Sequence, residues 1–454
     1  MTTAETLVTR LETVLESSCI WAEDTQTMAF VLDGCRPTAV VQPETLAQAA
    51  EVVALAGRER LAVVPWGQGT QMHLGQVPQR YDLALSLAGL SRITEYDSAN
   101  LTVIAEAGVP LRDVYKLTVP ERQFLPLGFL GTTASLGGLL VTNTSGVKRA
   151  RYGGVRDLLL GVRVALADGA LVRYGGRVVK NVAGYDMNKL FVGSLGVFGV
   201  VLETTYRLAA LPEDDRMLAM AFPTLSQAAA AAAAIQGSQL LPSALTMVTA
   251  EAAAACPALQ ALSLQTPQVG LLVNFDGMHE AVERQVSDSR QLCQQHGGTG
   301  EVLLTDVNLL RVWEFQEAWR TAPAVAEQDS IQVRIGILPS NLATIIHQLT
   351  PAPTFSQSAQ HWLADYTSGQ IFAHLPLSQP LADDVSTAVP AWLHRLRAQV
   401  RDQHGYCCVE YAPASLRQQL DLWGEPPGHQ LLKLYKQRFD PHAVLNPGRY
   451  VAGL

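Results

Sequence analysis

Apolar and polar positions alternate along the first two fifths of the chain in a way that predicts short strands around one helix. An apolar run at Thr38–Val41 precedes a helical pattern that opens at Pro43, and a second apolar run follows at Leu61–Val64. This order predicts a strand–helix–strand unit. Later runs predict strands at 83–87, 93–96, 101–106 and 197–208, a short helix at 111–117, and a hairpin around the turn Asp168-Gly169.

The pattern changes after Leu211-Pro212, where strands and helices alternate more regularly. We therefore predict an α+β fold with a domain boundary here and an open sheet that carries helices on one face. The predicted divisions are an N-terminal helical segment at 1–37, domains at 38–212 and 213–430, and a closing segment at 431–454. The strands are predicted at 217–222, 244–248, 269–275, 301–305, 331–338, 371–377 and 406–411, and the helices at 225–235, 280–296, 342–349, 385–404 and 431–439.

Composition excludes several classes of protein. Of the 454 residues 48% are hydrophobic and 16% are charged, with a net charge of −8 and no long basic run, which argues against a disordered or nucleic-acid-binding chain. The N-terminus lacks the pattern of a signal peptide, and no apolar run is long enough to span a bilayer. We expect a cytoplasmic protein that associates with a membrane only through a partner.

The cysteine spacing predicts no metal site. It matches neither a zinc site nor an iron–sulfur run, so we expect buried, reduced thiols. The vicinal pair Cys407-Cys408 falls in a predicted strand, so its side chains should point to opposite faces. The six cysteines are Cys19, Cys35, Cys256, Cys293, Cys407 and Cys408.

Three glycine-rich segments are candidates for holding a phosphate. The first is Gly67-Gln68-Gly69-Thr70, directly after a predicted strand; the second starts at Thr133 and the third at Gly193. Glycines allow backbone N–H groups to approach an anion closely. No G-x-G-x-x-G opens a helix and no P-loop motif occurs, so we expect loops, rather than a helix N-terminus, to hold the phosphate.

These segments, with the one near the C-terminus, carry a family resemblance. The order PWGQGT, TASLGG, TNTSG, RYGG, GYDMNKLFVGSLGVFG and FDPHAVLNPGR resembles the vanillyl-alcohol-oxidase flavoprotein superfamily. Within it, Gly175–Gly196 is similar to the E subunits of bacterial glycolate oxidase. The resemblance implies a two-part FAD-binding domain of the p-cresol-methylhydroxylase type, a cap domain with an open antiparallel sheet, and a closing segment that returns to the FAD domain.

The resemblance also implies a cofactor site for FAD. Some relatives attach FAD through a histidine near the position of His73, but the flanking Gly-Gly-His pattern is missing here, so we expect noncovalent FAD. The implied cofactor-binding residues are Trp66, Gly67, Gln68, Gly69 and Thr70 at the pyrophosphate, Pro126, Leu127, Thr133, Ala134, Gly137, Gly138, Asn143 and Gly146 at the flavin and its phosphates, Gly196, Val200 and Val201 further along, and Asn446 and Arg449 from the closing segment.

The function implied is that of a subunit of glycolate oxidase, also called glycolate dehydrogenase. It would work with a D-type FAD subunit and an iron–sulfur subunit to oxidise glycolate, a small 2-hydroxy acid, to glyoxylate. A hydride would pass from the substrate to the flavin while a base takes the hydroxyl proton. An arginine normally binds the carboxylate; Arg320 and Arg334 are candidates, and no catalytic residue is assigned.

Departures from the family pattern leave two alternatives open. D-type subunits carry a His-Ala-Gly-Asp-Gly-Asn segment and a Glu-His pair, whereas the matching strand here, Phe372–Leu377, has only His374. The chain could therefore be an accessory FAD subunit, and we expect it to oxidise glycolate weakly or not at all by itself. A stand-alone flavin oxidoreductase is the other alternative, although the segment Lys180–Asp186 argues against it.

Overall fold

The computed structural model describes residues 4–128, 132–176, 185–321, 330–349, 355, 361–377 and 385–454. The segment 177–184, which includes Lys180 and much of the stretch most specific to the family, lies outside the described residues. The chain forms two compact units. The first comprises Met1–Ser145, Gly153–Ala210 and Glu425–Leu454, and the second comprises Gly146–Tyr152 and Leu211–Gly424.

The described strands and helices are numbered in chain order. The strands are β1 (Ile20–Trp21), β2 (Ala39–Val41), β3 (Val63–Trp66), β4 (Leu83–Ser86), β5 (Ile93–Asp97), β6 (Thr102–Glu106), β7 (Gln123–Phe124), β8 (Leu159–Ala165), β9 (Leu171–Gly175), β10 (Val200–Arg207), β11 (Ala209–Ala210), β12 (Asp214–Phe222), β13 (Ala244–Thr249), β14 (Val269–Gly277), β15 (Thr299–Leu304), β16 (Ser330–Gly336), β17 (His361–Asp365), β18 (Gln370–Pro376) and β19 (Tyr406–Tyr411). The helices are α1 (Ala4–Leu11), α2 (Asp24–Thr27), α3 (Leu46–Glu59), α4 (Leu111–Thr118), α5 (Leu136–Thr142), α6 (Arg149–Tyr152), α7 (Val155–Leu158), α8 (Asn188–Phe191), α9 (Leu225–Gln236), α10 (Ala250–Ala254), α11 (His279–Gln295), α12 (Asp306–Thr321), α13 (Leu342–Gln348), α14 (Val385–Asp402), α15 (Ala414–Arg417) and α16 (His429–Phe439).

The first unit contains two main sheets. In one, the order is β1-β2-β4-β3, with β4 parallel to both β2 and β3 and β1 antiparallel to β2. In the other, all five strands are antiparallel, in the order β5-β6-β10-β8-β9. The strand–helix–strand unit is thus present, with β4 inserted between its two strands. A pair of sheets in one unit agrees with the two-part domain that the sequence predicted.

One hydrophobic core runs through the first unit and includes α3. Thr45 caps this helix by accepting a hydrogen bond from the Gln48 N–H, and Gln48 bonds back to the Thr45 N–H. The predicted hairpin β8–β9 turns at Gly169, where φ is +84° and an added Cβ would overlap Ala54 of α3. Glycine is needed there both for the turn and for the close approach of the helix.

The second unit is built on an eight-stranded antiparallel sheet. Its order is β15-β12-β14-β13-β17-β18-β16-β19, so it is open, with β15 and β19 at its edges. Ile331, Val333 and Ile335 of β16 point into a core shared with α9, α11, α13 and α14. The alternate residue Gln332 donates to the carbonyl oxygen of Trp319 in α12, so this helix lies on the opposite face. The prediction of helices on one face alone was wrong.

A partly buried ion cluster fixes the segment Gly146–Tyr152 within the second unit. The Lys148 ammonium donates to Asp215 at 2.6 Å and to Asp276 at 2.7 Å, and the Tyr152 hydroxyl donates to Asp276 at 3.0 Å. Gly146, expected at the cofactor, therefore belongs to the second unit.

Three local predictions also need correction. The glycine-rich region 128–154, which shows no clear periodicity and for which no helix was predicted, contains α5 and α6, and α12 and β17 were not predicted either. Within the described part of the chain, no helix is both long and apolar enough to cross a membrane.

Candidate functional site

A cleft in the first unit brings the glycine-rich segments together. It encloses about 530 Å³ of space, part of it open to solvent. Its walls come from the loop after β3, the start of α5, the loop before β10 and the closing segment. The lining residues are Pro65, Gly67, Gln68, Gly69, Thr70, Gln71, Met72, Leu74, Ala134, Ser135, Gly138, Leu139, Val141, Thr142, Leu195, Asn446 and Arg449.

The loop after β3 lines this cleft and contains backbone N–H groups without an acceptor among the described residues. Gly69 has φ +73°, a left-handed conformation that glycine adopts readily. Among the described residues, nothing accepts a hydrogen bond from the N–H groups of Gln68, Gly69 or Thr70, and all three residues are exposed. A Cβ at Gly67 would overlap the Ser135 hydroxyl oxygen, so the loop and the start of α5 touch here. This arrangement fits an anion such as a diphosphate.

The closing segment forms another wall by extending the parallel sheet. Leu445 forms a parallel bridge with Val63 of β3, and the Asn446 N–H donates to the Val63 carbonyl oxygen at 2.8 Å. The Asn446 side-chain N–H donates to the Leu195 carbonyl oxygen at 2.6 Å. Its amide oxygen is buried and has no hydrogen-bond partner within the described ranges. Because such an orphaned oxygen is costly, it is a candidate acceptor for a ligand.

Arg449 and Trp66 form hydrogen bonds within the protein. The Arg449 guanidinium donates to the carbonyl oxygens of Met72 and Leu74, which holds the end of the loop after β3. The Trp66 indole N–H donates to the Tyr81 hydroxyl at 2.7 Å, so its ring packs away from the cleft. These internal hydrogen bonds already use the polar ends of both side chains.

The structure brings only some of the predicted cofactor residues into the cleft. Gly67, Gln68, Gly69, Thr70, Ala134, Gly138, Asn446 and Arg449 line it. Leu127 lies in the core, Gly137 packs on Ala107, and a Cβ added at Gly196 would lie 3.5 Å from Pro65. Thr133 and Asn143 are exposed, and Val200 and Val201 lie within β10. The predicted residues outside the lining are Trp66, Pro126, Leu127, Thr133, Gly137, Asn143, Gly146, Gly196, Val200 and Val201.

The sequence analysis placed Ser135 in the second glycine-rich segment but did not name it among the cofactor residues, and it missed a chain of hydroxyl groups in the same cleft. Ser135 caps α5 by accepting from the Gly138 N–H at 3.2 Å. The Thr142 and Thr144 hydroxyls are 2.8 Å apart, and the Thr144 hydroxyl donates to the Gln71 side chain at 2.7 Å. A serine that precedes an apolar run is an N-cap signal, so Ser135 could have been found from the sequence.

A second group of polar side chains lies on the α12 face of the sheet in the second unit. His374 and Gln332 are paired across β18 and β16, and both donate to the Trp319 carbonyl oxygen, at 3.0 and 3.2 Å. The His374 ring stacks on Trp319 with centroids 4.4 Å apart. His374 is the only histidine of its own strand, as the sequence shows, but His361 of β17 faces it across the β17–β18 pair.

Two arginines of this face differ in their partners. Arg334 forms an ion pair with Glu410 at 2.9 Å. Arg320 is 8% exposed, contacts Gln370 at 3.3 Å and lies 4.6 Å from the centre of the Phe372 ring. Its Nη1 has no hydrogen-bond partner in the described part of the chain. Arg320, rather than Arg334, can therefore accept a new carboxylate partner.

Glu317 is a buried carboxyl that the sequence did not single out. It lies three residues before Arg320 on the buried side of α12. Burial raises its pKa to about 7, although the Arg320 charge opposes this shift. A carboxyl with a pKa near neutrality can accept a proton, and such groups cluster at functional sites.

Burial has the opposite effect on His374, because it lowers the pKa of the imidazole from 6.5 to about 4. Between these values the unfolded chain binds a proton that the folded chain does not, so stability falls as the pH falls from about 6.5 to 4. The loss attributable to His374 is about 3 kcal/mol. We expect His374→Gln to remove this part of the pH dependence, measured by urea unfolding at pH 7 and pH 4.5.

The matched control is His442→Gln, because His442 is exposed. Glu317 titrates with the opposite sign, since a raised pKa stabilises the fold at low pH and loses that effect as the pH rises towards 7. The contribution of His374 is therefore the difference between the variant and the parent in how the free energy of unfolding changes with pH. An unchanged pH dependence in His374→Gln would contradict the neutral, buried imidazole.

No three His, Cys, Asp or Glu residues gather into a possible metal site in the ranges that the structure describes.

Cys407 points into the core and Cys408 lies on the opposite side of β19, so the predicted orientation of the vicinal pair is confirmed.

Comparison with known proteins identifies both parts of the chain. Residues 37–175 match the FAD binding domain model, and residues 211–347 match the model for the C-terminal domain of FAD linked oxidases. The chain is 24% identical to glycolate oxidase subunit GlcD of Bacillus subtilis, covering 92% of this chain and 89% of that protein. It is 27% identical to D-2-hydroxyglutarate dehydrogenase of Xanthomonas citri pv. viticola, over 91% of this chain and 89% of the relative.

Solved structures show the same fold. p-Cresol methylhydroxylase superimposes with a TM-score of 0.75 at 14% identity, covering 98% of this chain and 96% of that one. Alkyldihydroxyacetonephosphate synthase superimposes with a TM-score of 0.71 at 15% identity, covering 98% and 85%. The donor-rich cleft fits the diphosphate of FAD. Residues 37–175 therefore match a FAD binding domain, residues 211–347 match the C-terminal domain of FAD linked oxidases, and the chain has the fold of p-cresol methylhydroxylase.

Proposed function

We propose that the cleft of the first unit holds the FAD pyrophosphate, without a covalent bond. The exposed N–H groups of Gln68, Gly69 and Thr70 supply donors for the diphosphate, and the Asn446 amide oxygen supplies a buried acceptor for an N–H or O–H group elsewhere on the cofactor. Ser135 keeps the loop and α5 at the distance that the donors need. The predicted residues outside the lining remain candidates for contacts with other parts of the cofactor.

We propose that the chain oxidises a 2-hydroxy acid, with glycolate as the first candidate. The observation that carries this proposal is the buried Arg320, whose Nη1 has no partner among the described residues and can bind a carboxylate. The relatives named above act on glycolate or D-2-hydroxyglutarate by their names, and both substrates contain a carboxylate beside a hydroxyl group.

Glu317 is the proposed proton acceptor for the substrate hydroxyl. FAD, when bound, supplies the acceptor for the hydride equivalent. Glu317 lies one helical turn from Arg320, and with a pKa of about 7 it is partly ionised at neutral pH. Arg320 would orient the substrate carboxylate, and Glu317 would take the proton. The sequence contains no iron–sulfur ligands, so a D-type FAD subunit and an iron–sulfur subunit remain the proposed partners.

The second candidate function is an accessory FAD subunit without turnover of its own. It is favoured by His374, which donates to the Trp319 carbonyl oxygen and whose pKa of about 4 makes it a weak base. If Glu317 does not act as a base, the matching strand Phe372–Leu377 offers only His374, which is too weak a base to replace it.

The deciding experiment mixes the FAD-loaded chain anaerobically with glycolate, D-lactate or D-2-hydroxyglutarate and follows the flavin band. We expect glycolate to bleach it, at a rate that rises with pH through about 7 as Glu317 ionises. Glu317→Gln should slow bleaching by about 10²–10⁴-fold, as is typical for a lost general base. Glu314→Gln, on the exposed side of α12, is the matched control.

Absence of bleaching with all three acids would contradict the proposed turnover. Activity that appears only after a D-type subunit is added, and is unaffected by Glu317→Gln, would establish the accessory function instead.

A further inference from the structure

A buried lysine forms hydrogen bonds to two of the segments that form the cleft proposed for FAD. Lys436 of α16 is 5% exposed, although the rest of this helix is largely accessible. Its ammonium donates three hydrogen bonds: to the Val197 carbonyl oxygen at 2.8 Å, to Asp440 at 2.6 Å and to the Leu445 carbonyl oxygen at 2.7 Å. All three N–H groups of the ammonium are therefore used.

Asp440 completes this centre. Its carboxylate accepts the Lys436 bond and also accepts from the backbone N–H groups of Val444 and Leu445, each at 2.8 Å. The carboxylate thus fixes the turn that leads into the closing segment. Burial lowers the pKa of Lys436, and the Asp440 charge opposes that shift.

The residues held by this centre are direct neighbours of cleft residues. Val197 is two residues after Leu195, and Leu445 precedes Asn446. Leu195 and Asn446 both line the cleft, and the Asn446 side chain donates to the Leu195 carbonyl oxygen. The ammonium therefore connects the same two segments that the Asn446 side chain connects. Its acceptors are Val197, 239 residues away in sequence and two residues from Leu195, and Leu445, 9 residues away and adjacent to Asn446.

We infer that Lys436 is a positioning residue for FAD: it sets the separation of the Leu195 and Asn446 walls, and with it the aim of the Asn446 amide oxygen. Leu195 and Asn446 both lie outside the helices and strands, although Leu445 is bridged to β3. Leu195 has φ +50° and Asn446 has φ +48°, conformations that non-glycine residues rarely adopt and that need support from their surroundings. Lys436 provides part of that support through the adjacent carbonyl groups.

The test compares Lys436→Met with Lys433→Met. Methionine keeps the length and apolar stem of lysine but has no donor, and Lys433 is an exposed lysine of the same helix. FAD is titrated into the apoproteins by flavin fluorescence, at a temperature where circular dichroism shows each of them folded. We expect Lys436→Met to bind FAD at least about tenfold more weakly than the parent, and Lys433→Met to bind it like the parent.

A double variant, Lys436→Met/Asp440→Asn, separates positioning from stability. It removes the buried carboxylate charge that the single variant leaves without its ammonium, so it should unfold at a higher temperature than Lys436→Met. We expect its FAD affinity to stay low, and the visible circular dichroism of the bound flavin to differ from that of the parent. The double variant also serves if Lys436→Met does not fold.

FAD affinity equal to that of the parent in either Lys436 variant would overturn the inference. A double variant that regains both FAD affinity and thermal stability relative to Lys436→Met would overturn it as well. The inference depends on FAD binding and not on the proposed substrate. A parent that binds FAD but fails to oxidise any 2-hydroxy acid would leave it intact.

Discussion

Replacement of Gly69 by valine is expected to weaken FAD binding by at least about 100-fold. A Cβ at this position would lie 3.5 Å from the Trp66 ring, an ordinary contact, so space is not the reason. The reason is the backbone, because a β-branched residue strongly disfavours φ +73°. The loop must then turn its N–H groups away from the diphosphate, and each charge-assisted bond lost weakens binding by about 1.5–3 kcal/mol.

Two variants distinguish this cause from general damage. Gly69→Asn should keep most of the affinity, since asparagine tolerates the left-handed region. Gly428→Val introduces the same strain at φ +81°, with nothing within 4 Å, before α16, and should bind FAD normally. The measurement is a fluorescence titration of FAD into apoprotein. Full affinity in Gly69→Val would remove the loop from the pyrophosphate site, and flavin that stays with acid-precipitated parent protein would contradict noncovalent binding.

Replacement of Arg320 by methionine is expected to raise the KM for glycolate by about 10- to 100-fold and leave FAD affinity unchanged. A buried guanidinium that binds a carboxylate contributes about 1.5–3 kcal/mol. Loss of its charge also removes the influence that holds down the pKa of Glu317. The pH at which flavin reduction accelerates should therefore move upwards from about 7, which a purely structural role for Arg320 would not cause.

Arg311→Met is the matched control, because Arg311 is exposed on the same helix. Arg320→Lys keeps the charge but not the paired N–H groups, so we expect an intermediate KM and a smaller shift of the pH profile. If Arg320→Met retains the parent KM, the carboxylate site lies elsewhere and the proposal for the substrate fails with it.

Apolar periodicity was sufficient to predict most strands and helices that have one buried face. β19 was predicted with its observed bounds, and β10, α4 and α13 within a few residues. The helix α12 was missed because its inward positions change along its length. Leu309, Val312 and Trp313 are apolar, but Gln316, Glu317 and Arg320 continue the same buried face with polar groups. A buried polar face has no hydrophobic periodicity, so a pattern search cannot find it.

The sequence by itself determined the parts of this protein that depend on neighbours along the chain: the fold class, the glycine-rich loops and the family resemblance that implied FAD. It could not determine which candidate residues face one cleft, since Asn446 meets Leu195 across 251 residues and Arg449 meets Leu74 across 375. Nor could it distinguish Arg320 from Arg334, because the difference is a contact with Glu410 that only the pairing of β16 with β19 creates. Burial, which moves the pKa values of Glu317 and His374 in opposite directions, is likewise a property of packing, since desolvation penalises whichever form of a group is charged.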